Sequence, residues 1–173
     1  ELGFPVSDSL LIVQIVTGDP TDPSDAPIMP GDYLSDANGG TLLDSIAFLD
    51  ITIYDWQSGE EFTNIDPALP LTVQLPVPVS LRTTVVLGEQ IEWWSFNEGT
   101  GYWYEEGLAT VIDGPDNELW IEAQVTHLST WNCDRPIEQH GCMCVDVEDS
   151  VGDPIEGAFV SATGVTYTGV SPP

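Results

Sequence analysis

The chain has no lysine. Apart from two histidines its only basic residues are Arg82 and Arg135, set against 29 Asp and Glu in 173 residues, for a formal net charge of −27. Duplex nucleic acid and anionic membranes are recognised through cationic surface, so neither is expected as a partner. No apolar run approaches the ~18 residues of a membrane span. The opening Glu-Leu-Gly-Phe-Pro lacks a basic leader start, so the expectation is a chain whose leader has been removed or that has been cut from a longer protein. The three cysteines, Cys133, Cys142 and Cys144, have no paired metal-binding spacing and no accompanying histidine pair, which argues against zinc. Glycine-rich phosphate loops and nucleophile elbows are lacking, as is helical periodicity of useful length over the first 130 residues.

What is present is strand-like. The composition is 42% hydrophobic with six Trp, five Tyr and five Phe, too apolar and aromatic for disorder despite the charge. The carboxylates keep such a sticky β-protein soluble. They also repel one another in the compact state, so stability is expected to rise with salt or Ca²⁺.

Ser9 to Thr17 is a β-branched apolar run closed by Gly18-Asp19-Pro20 and reads as a buried strand. The loop that follows holds Pro20, Pro23, Pro27 and Pro30, which remove backbone donors and forbid a central strand. Its four aspartates, Asp19, Asp22, Asp25 and Asp32, either supply oxygen ligands to Ca²⁺ or form a solvated acidic loop. Their spacing does not match the twelve-residue calcium loop, and no cofactor is required.

Asn38-Gly39-Gly40 marks a turn into one or two strands over Thr41 to Tyr54. Leu69 to Leu81 alternates but carries Pro70, Pro76 and Pro78, which suits an edge or bulged strand. Ile91 to Asn97, the turn Glu98-Gly-Thr-Gly101 and Tyr102 to Glu106 make a hairpin, with further strands at Leu108 to Ile112 and Leu119 to Thr126. The fold class is all-β, an antiparallel β-sandwich over residues 1–134. A linker at 135–140 leads to residues 141–173, the first strands of an Ig-like β-sandwich. Two or three strands leave an apolar face wet, so the rest of that second unit is expected beyond this chain or from another subunit.

Four segments carry a resemblance: Asp19-Pro-Thr-Asp-Pro, Met29-Pro-Gly-Asp32, Trp94 to Gly107, and Val125-Thr-His-Leu-Ser-Thr-Trp-Asn-Cys-Asp134. Together they resemble a module of large secreted surface proteins common in Bacteroidota, which ends in a His-Phe-Ser-x-Trp-Asn-Cys-Asp run. In such proteins a carboxypeptidase-regulatory-like, immunoglobulin-type domain follows, and Val145 to Val160 is similar to its start. The resemblance implies an extracellular, structural or adhesive role, with other domains of a longer chain, neighbouring subunits, or a surface glycan or protein as partners. In that oxidising setting a Cys133–Cys142 bridge across the intervening loop is expected, leaving Cys144 over.

His127-Leu128-Ser129 is also similar to the self-cleaving sites of GAIN and ZU5 domains. In that reading His127 is the general base for Ser129, whose hydroxyl attacks the Leu128 carbonyl, shifts the acyl group from nitrogen to oxygen and leaves an ester for water. The flanking cysteines of the GAIN sites are replaced here by residues such as Ala123 and Val125. In the alternative, His127 caps a strand, Leu128 enters the core and Ser129 bonds the turn backbone. Trp93, Trp94, Trp103, Trp120 and Trp131 either line a carbohydrate platform or fill the core, and alternation within strands favours the core.

Overall fold

A computed structural model describes residues 10–25, 28–35, 40–62, 64–137 and 145–156. Its strands are β1 (Leu11–Gly18), β2 (Leu43–Asp55), β3 (Glu61–Phe62), β4 (Leu71–Pro76), β5 (Gln90–Asn97), β6 (Tyr102–Asp113), β7 (Leu119–Val125) and β8 (Thr130–Pro136). All pair antiparallel in one sheet of order β1-β2-β8-β5-β6-β7-β4, with β3 added to β2. The expected all-β class holds.

The sheet curls into a near-barrel, sandwich-like shape because one face is apolar on nearly every strand. Leu49, Ile51 and Ile53 of β2, Leu75 of β4, Ile91 and Trp93 of β5, Val111 of β6, Ile121 and Val125 of β7, and Trp131 and Cys133 of β8 share one buried cluster. Only Thr126 to Ser129 link β7 to β8, although β6 and β5 lie between them in the sheet. So short a link can join them because the curled sheet brings both across one interior.

A second, smaller core lies on the outer face. Met29, Leu43, Phe48, Trp94 and Trp103 pack there with Tyr33 and Phe96, so the chain around residues 28–35 covers that side of the sheet. Strand β8 is therefore buried on both faces. Trp131 and Cys133 enter the main core, while Asn132 and Asp134 are wholly buried on the opposite side. Four of the five tryptophans in question, Trp93, Trp94, Trp103 and Trp131, are buried core residues, and Trp120 is partly covered.

Two bulges set the faces. On β2, pairing shifts between Ser45 and Ala47, so Ile46 is the extra residue and enters the main core. On β6, Trp93 pairs Gly107 while Trp94 pairs Glu105, which makes Glu106 the extra residue. Parity then switches along one strand, with Trp103 in the outer cluster and Ala109 and Val111 in the inner one. Leu108 to Ile112, expected as a separate strand, is continuous with Tyr102 to Glu106 through this bulge.

The expected edge strand at Leu69 to Leu81 is found, since β4 pairs only with β7. The expectation of a buried first strand is overturned. Among the described residues β1 pairs only with β2, and Leu11, Ile12, Val13, Ile15 and Val16 are all exposed, since no packed layer buries either face. Strand β8 runs past Asp134 through Arg135 to Pro136. Of the expected second unit only 145–156 is described, where the expected turn from Asp149 forms and Glu148 bridges Pro154. The rest of 141–173, including Cys142 and Cys144, lies outside the described residues.

Candidate functional site

The turn Thr126 to Ser129 lies at the foot of a slot. Strand β8 begins at Thr130 between β2 and β5, which both continue past it. Beyond that point an open groove of about 960 Å³ separates them. Tyr54, Phe62, Phe96 and Tyr104 supply its aromatic lining, and Asp50, Glu61, Glu98, Glu105 and Glu106 its carboxylates.

Ser129 ties the slot at its base. Its carbonyl accepts the Ile51 N–H of β2 at 3.4 Å, and its hydroxyl donates to the Phe96 carbonyl of β5 at 2.9 Å. His127 turns elsewhere. Its ring is 4.7 Å from the Trp131 ring, and its Nε2 lies 2.8 Å from Glu106 Oε1. Leu128 packs against the main core. Among the described residues no hydrogen bond joins His127 to Ser129, so the expected base and nucleophile, two positions apart in sequence, have separate partners.

The hub of the site is Glu106, which sequence reasoning missed. As the bulged residue of β6 it is re-aimed toward the turn, where its carboxylate accepts from Ser95 Oγ at 2.6 Å and Thr126 Oγ1 at 3.3 Å and pairs with His127. Partial burial pushes its pKa up, but the hydrogen bonds from Ser95 and His127, the His127 charge and the Thr126 hydroxyl outweigh it and hold the carboxyl below its usual value. The available signal was Gly107, since a glycine inside a strand marks a bulge.

Three of the four loop aspartates, Asp19, Asp22 and Asp25, spend carboxylate oxygens on holding the loop itself. Asp19 Oδ1 accepts from Thr21 N–H at 2.8 Å and Thr21 Oγ1 at 2.6 Å, and Asp25 Oδ2 accepts the Asp19 N–H at 3.0 Å. Asp22 Oδ1 holds Ser24 in the same way. Asp32 contributes its backbone carbonyl, which accepts the Trp103 indole N–H at 3.1 Å. Among the described residues no group of three or more His, Cys, Asp or Glu side chains is placed to hold a metal ion. The Cys133 thiol is sealed in the main core, where burial and the neighbouring Asp134 raise its pKa well above the usual value. Its expected partner Cys142 lies outside the described residues.

Both arginines are paired within the first unit. Arg82 binds Glu118 bidentately at 2.8 and 2.9 Å, and Arg135 meets Glu89 at 2.6 Å. Each thus spends its charge on a local glutamate, and the outward balance stays strongly acidic. Searches against known protein families, curated proteins and solved structures give no match.

Proposed function

We propose that this chain is a structural module of an extracellular surface assembly, in which a second module of the same acidic kind adds its own β1 to the open edge of β1. One observation carries the reading: among the described residues one sheet edge is guarded and the other is bare. Strand β4 ends at Pro76, with Pro78 just beyond, which removes donors from that edge. Strand β1 carries no proline and no charge from Leu11 to Gly18, and its apolar side chains are exposed on both faces. An uncovered apolar edge of this kind is a template for strand addition. In a chain of net charge −27 this uncharged stretch lets two copies approach with little repulsion. A two-fold axis through β1 pairs antiparallel strands with self-complementary surfaces. The extracellular placement rests on the likeness of the Val125 to Asp134 segment to secreted surface modules.

Sedimentation of the full chain at rising concentration, in salt enough to screen the acid, tests it. The wild type is expected to dimerise and Val13→Lys to remain monomeric. A wild type that stays monomeric throughout contradicts the reading.

A second reading has its own observation, the slot beside Ser129. Aromatic rings interleaved with carboxylates and hydroxyls suit a glycan, stacking one sugar face and hydrogen-bonding its rim. Glycan-array binding that disappears in Tyr104→Ala supports it; an array with no signal removes it.

A further inference from the structure

Beneath the segment that covers the outer face, three buried polar side chains meet. Ser45, Asn132 and Asp134 are all buried, the latter two completely. The Ser45 hydroxyl donates to Asn132 Oδ1 at 2.7 Å, and Asn132 Nδ2 donates to Asp134 Oδ2 at 2.8 Å. Phe48, Trp94 and Trp103 belong to the apolar cluster on this face, and Met29 Sδ lies 3.8 Å from Asn132 Nδ2. The β2 bulge at Ile46 sets Ser45 opposite Asp134 while bringing its hydroxyl to Asn132.

We propose that Ser45 and Asn132 form an intramolecular ester that staples β2 to β8. The three groups supply what that step needs: a desolvated hydroxyl, an amide held against it and a carboxyl group whose Oδ2 accepts from the nitrogen that leaves. Ser45 Oγ attacks Asn132 Cγ, forming the C–O bond. As the carbon becomes tetrahedral, Asn132 Nδ2 turns basic and takes a proton from the Asp134 carboxyl it contacts, and that carboxyl takes up the hydroxyl proton. The C–N bond then breaks and ammonia leaves. Asp134 ends as it began, and no oxidant, metal or other reactant enters.

Burial pushes the Asp134 carboxyl well above the usual range, and nearby Asp44 adds to the shift, while the Ser45 hydroxyl opposes it. The neutral acid is thereby favoured, the form that can donate. Its second oxygen, Oδ1, has no hydrogen-bond partner, as suits a buried carboxyl rather than a buried carboxylate. The same exclusion of water that activates the hydroxyl protects the ester from hydrolysis. Ser45 and Asn132 stand 87 positions apart, so the bond would close most of the first unit into a covalent loop. This inference is independent of how β1 is used.

The test is the intact mass of the purified full chain, followed by digestion at acidic residues. The expected mass is lower than that of the sequence by one ammonia, with one peptide joining the Ser45 segment to the Asn132 segment. Ser45→Ala and Asp134→Asn are expected at their full sequence masses. A wild type at full mass, with Ser45 and Asn132 recovered in separate unmodified peptides, overturns the proposal, whether or not either variant folds. So does an ammonia loss that persists in Ser45→Ala or that gives no joined peptide.

Discussion

Glu106 and Ser129 divide the work at the β7–β8 turn. Ser129 holds β2 and β5 together where β8 has not yet begun, and Glu106 gathers Ser95, Thr126 and His127. Replacing Ser129 with Ala removes the hydroxyl bond to Phe96 and is expected to lower stability by about 1 kcal/mol. The fragment pattern on a denaturing gel should stay unchanged, and chemical denaturation of both forms measures the loss. Glu106 has its pKa depressed in the folded state, so its contribution is present above the unfolded value and is lost as pH falls through the folded one. Melting curves should accordingly show wild type losing its advantage over Glu106→Gln as the pH drops below the ordinary glutamate range of about 4.3. At neutral pH that advantage is on the order of 1 kcal/mol, because the pair is part-exposed and screened. An advantage that does not change with pH would mean the carboxylate's charge is not what holds the turn. His127 and Ser129 were legible as a turn signature because they follow a strand of clear alternation. Glu106 was not, because a bulge is defined by pairing with a strand elsewhere in the chain and leaves only a glycine in the sequence as its trace.

Among the elements, the β5–β6 hairpin was legible from Glu98-Gly-Thr-Gly101 between two aromatic runs, and β4 as an edge from its prolines. Strand β1 was misread. A run apolar on both faces ordinarily means burial on both, but burial depends on what covers a strand, and its own residues do not encode that. The alternation of Trp131-Asn-Cys-Asp134 conceals the opposite case, a strand buried on both faces whose second layer is the distant chain around Met29. The β6–β7 turn shows local constraint of a different kind. A Cβ added at Gly114 would overlap the Trp120 indole, so Gly114→Ala is expected to cost about 1–3 kcal/mol as the ring is displaced. Thermal melts with tryptophan fluorescence would register it. An unchanged melting temperature would show that the indole has room to move.

At the scale of the whole molecule, charge and edge act together. With both arginines paired locally, most of the chain's 29 acidic residues repel one another across a first unit held by two apolar clusters. Added sodium chloride should raise the melting temperature by several degrees as the screening length falls from ~30 Å at 0.01 M to ~10 Å at 0.1 M. A melting temperature indifferent to salt would mean the carboxylates are spaced widely enough not to interact. On the proposed reading copies associate along the uncharged β1, where this repulsion is weak. Amide hydrogen exchange of the full chain at low and high concentration tests that claim most directly. The expected result is protection that grows with concentration in peptides covering Leu11 to Gly18, while β4 and the β5–β6 hairpin stay constant. Exchange in Leu11 to Gly18 that is equally fast at every concentration would contradict it.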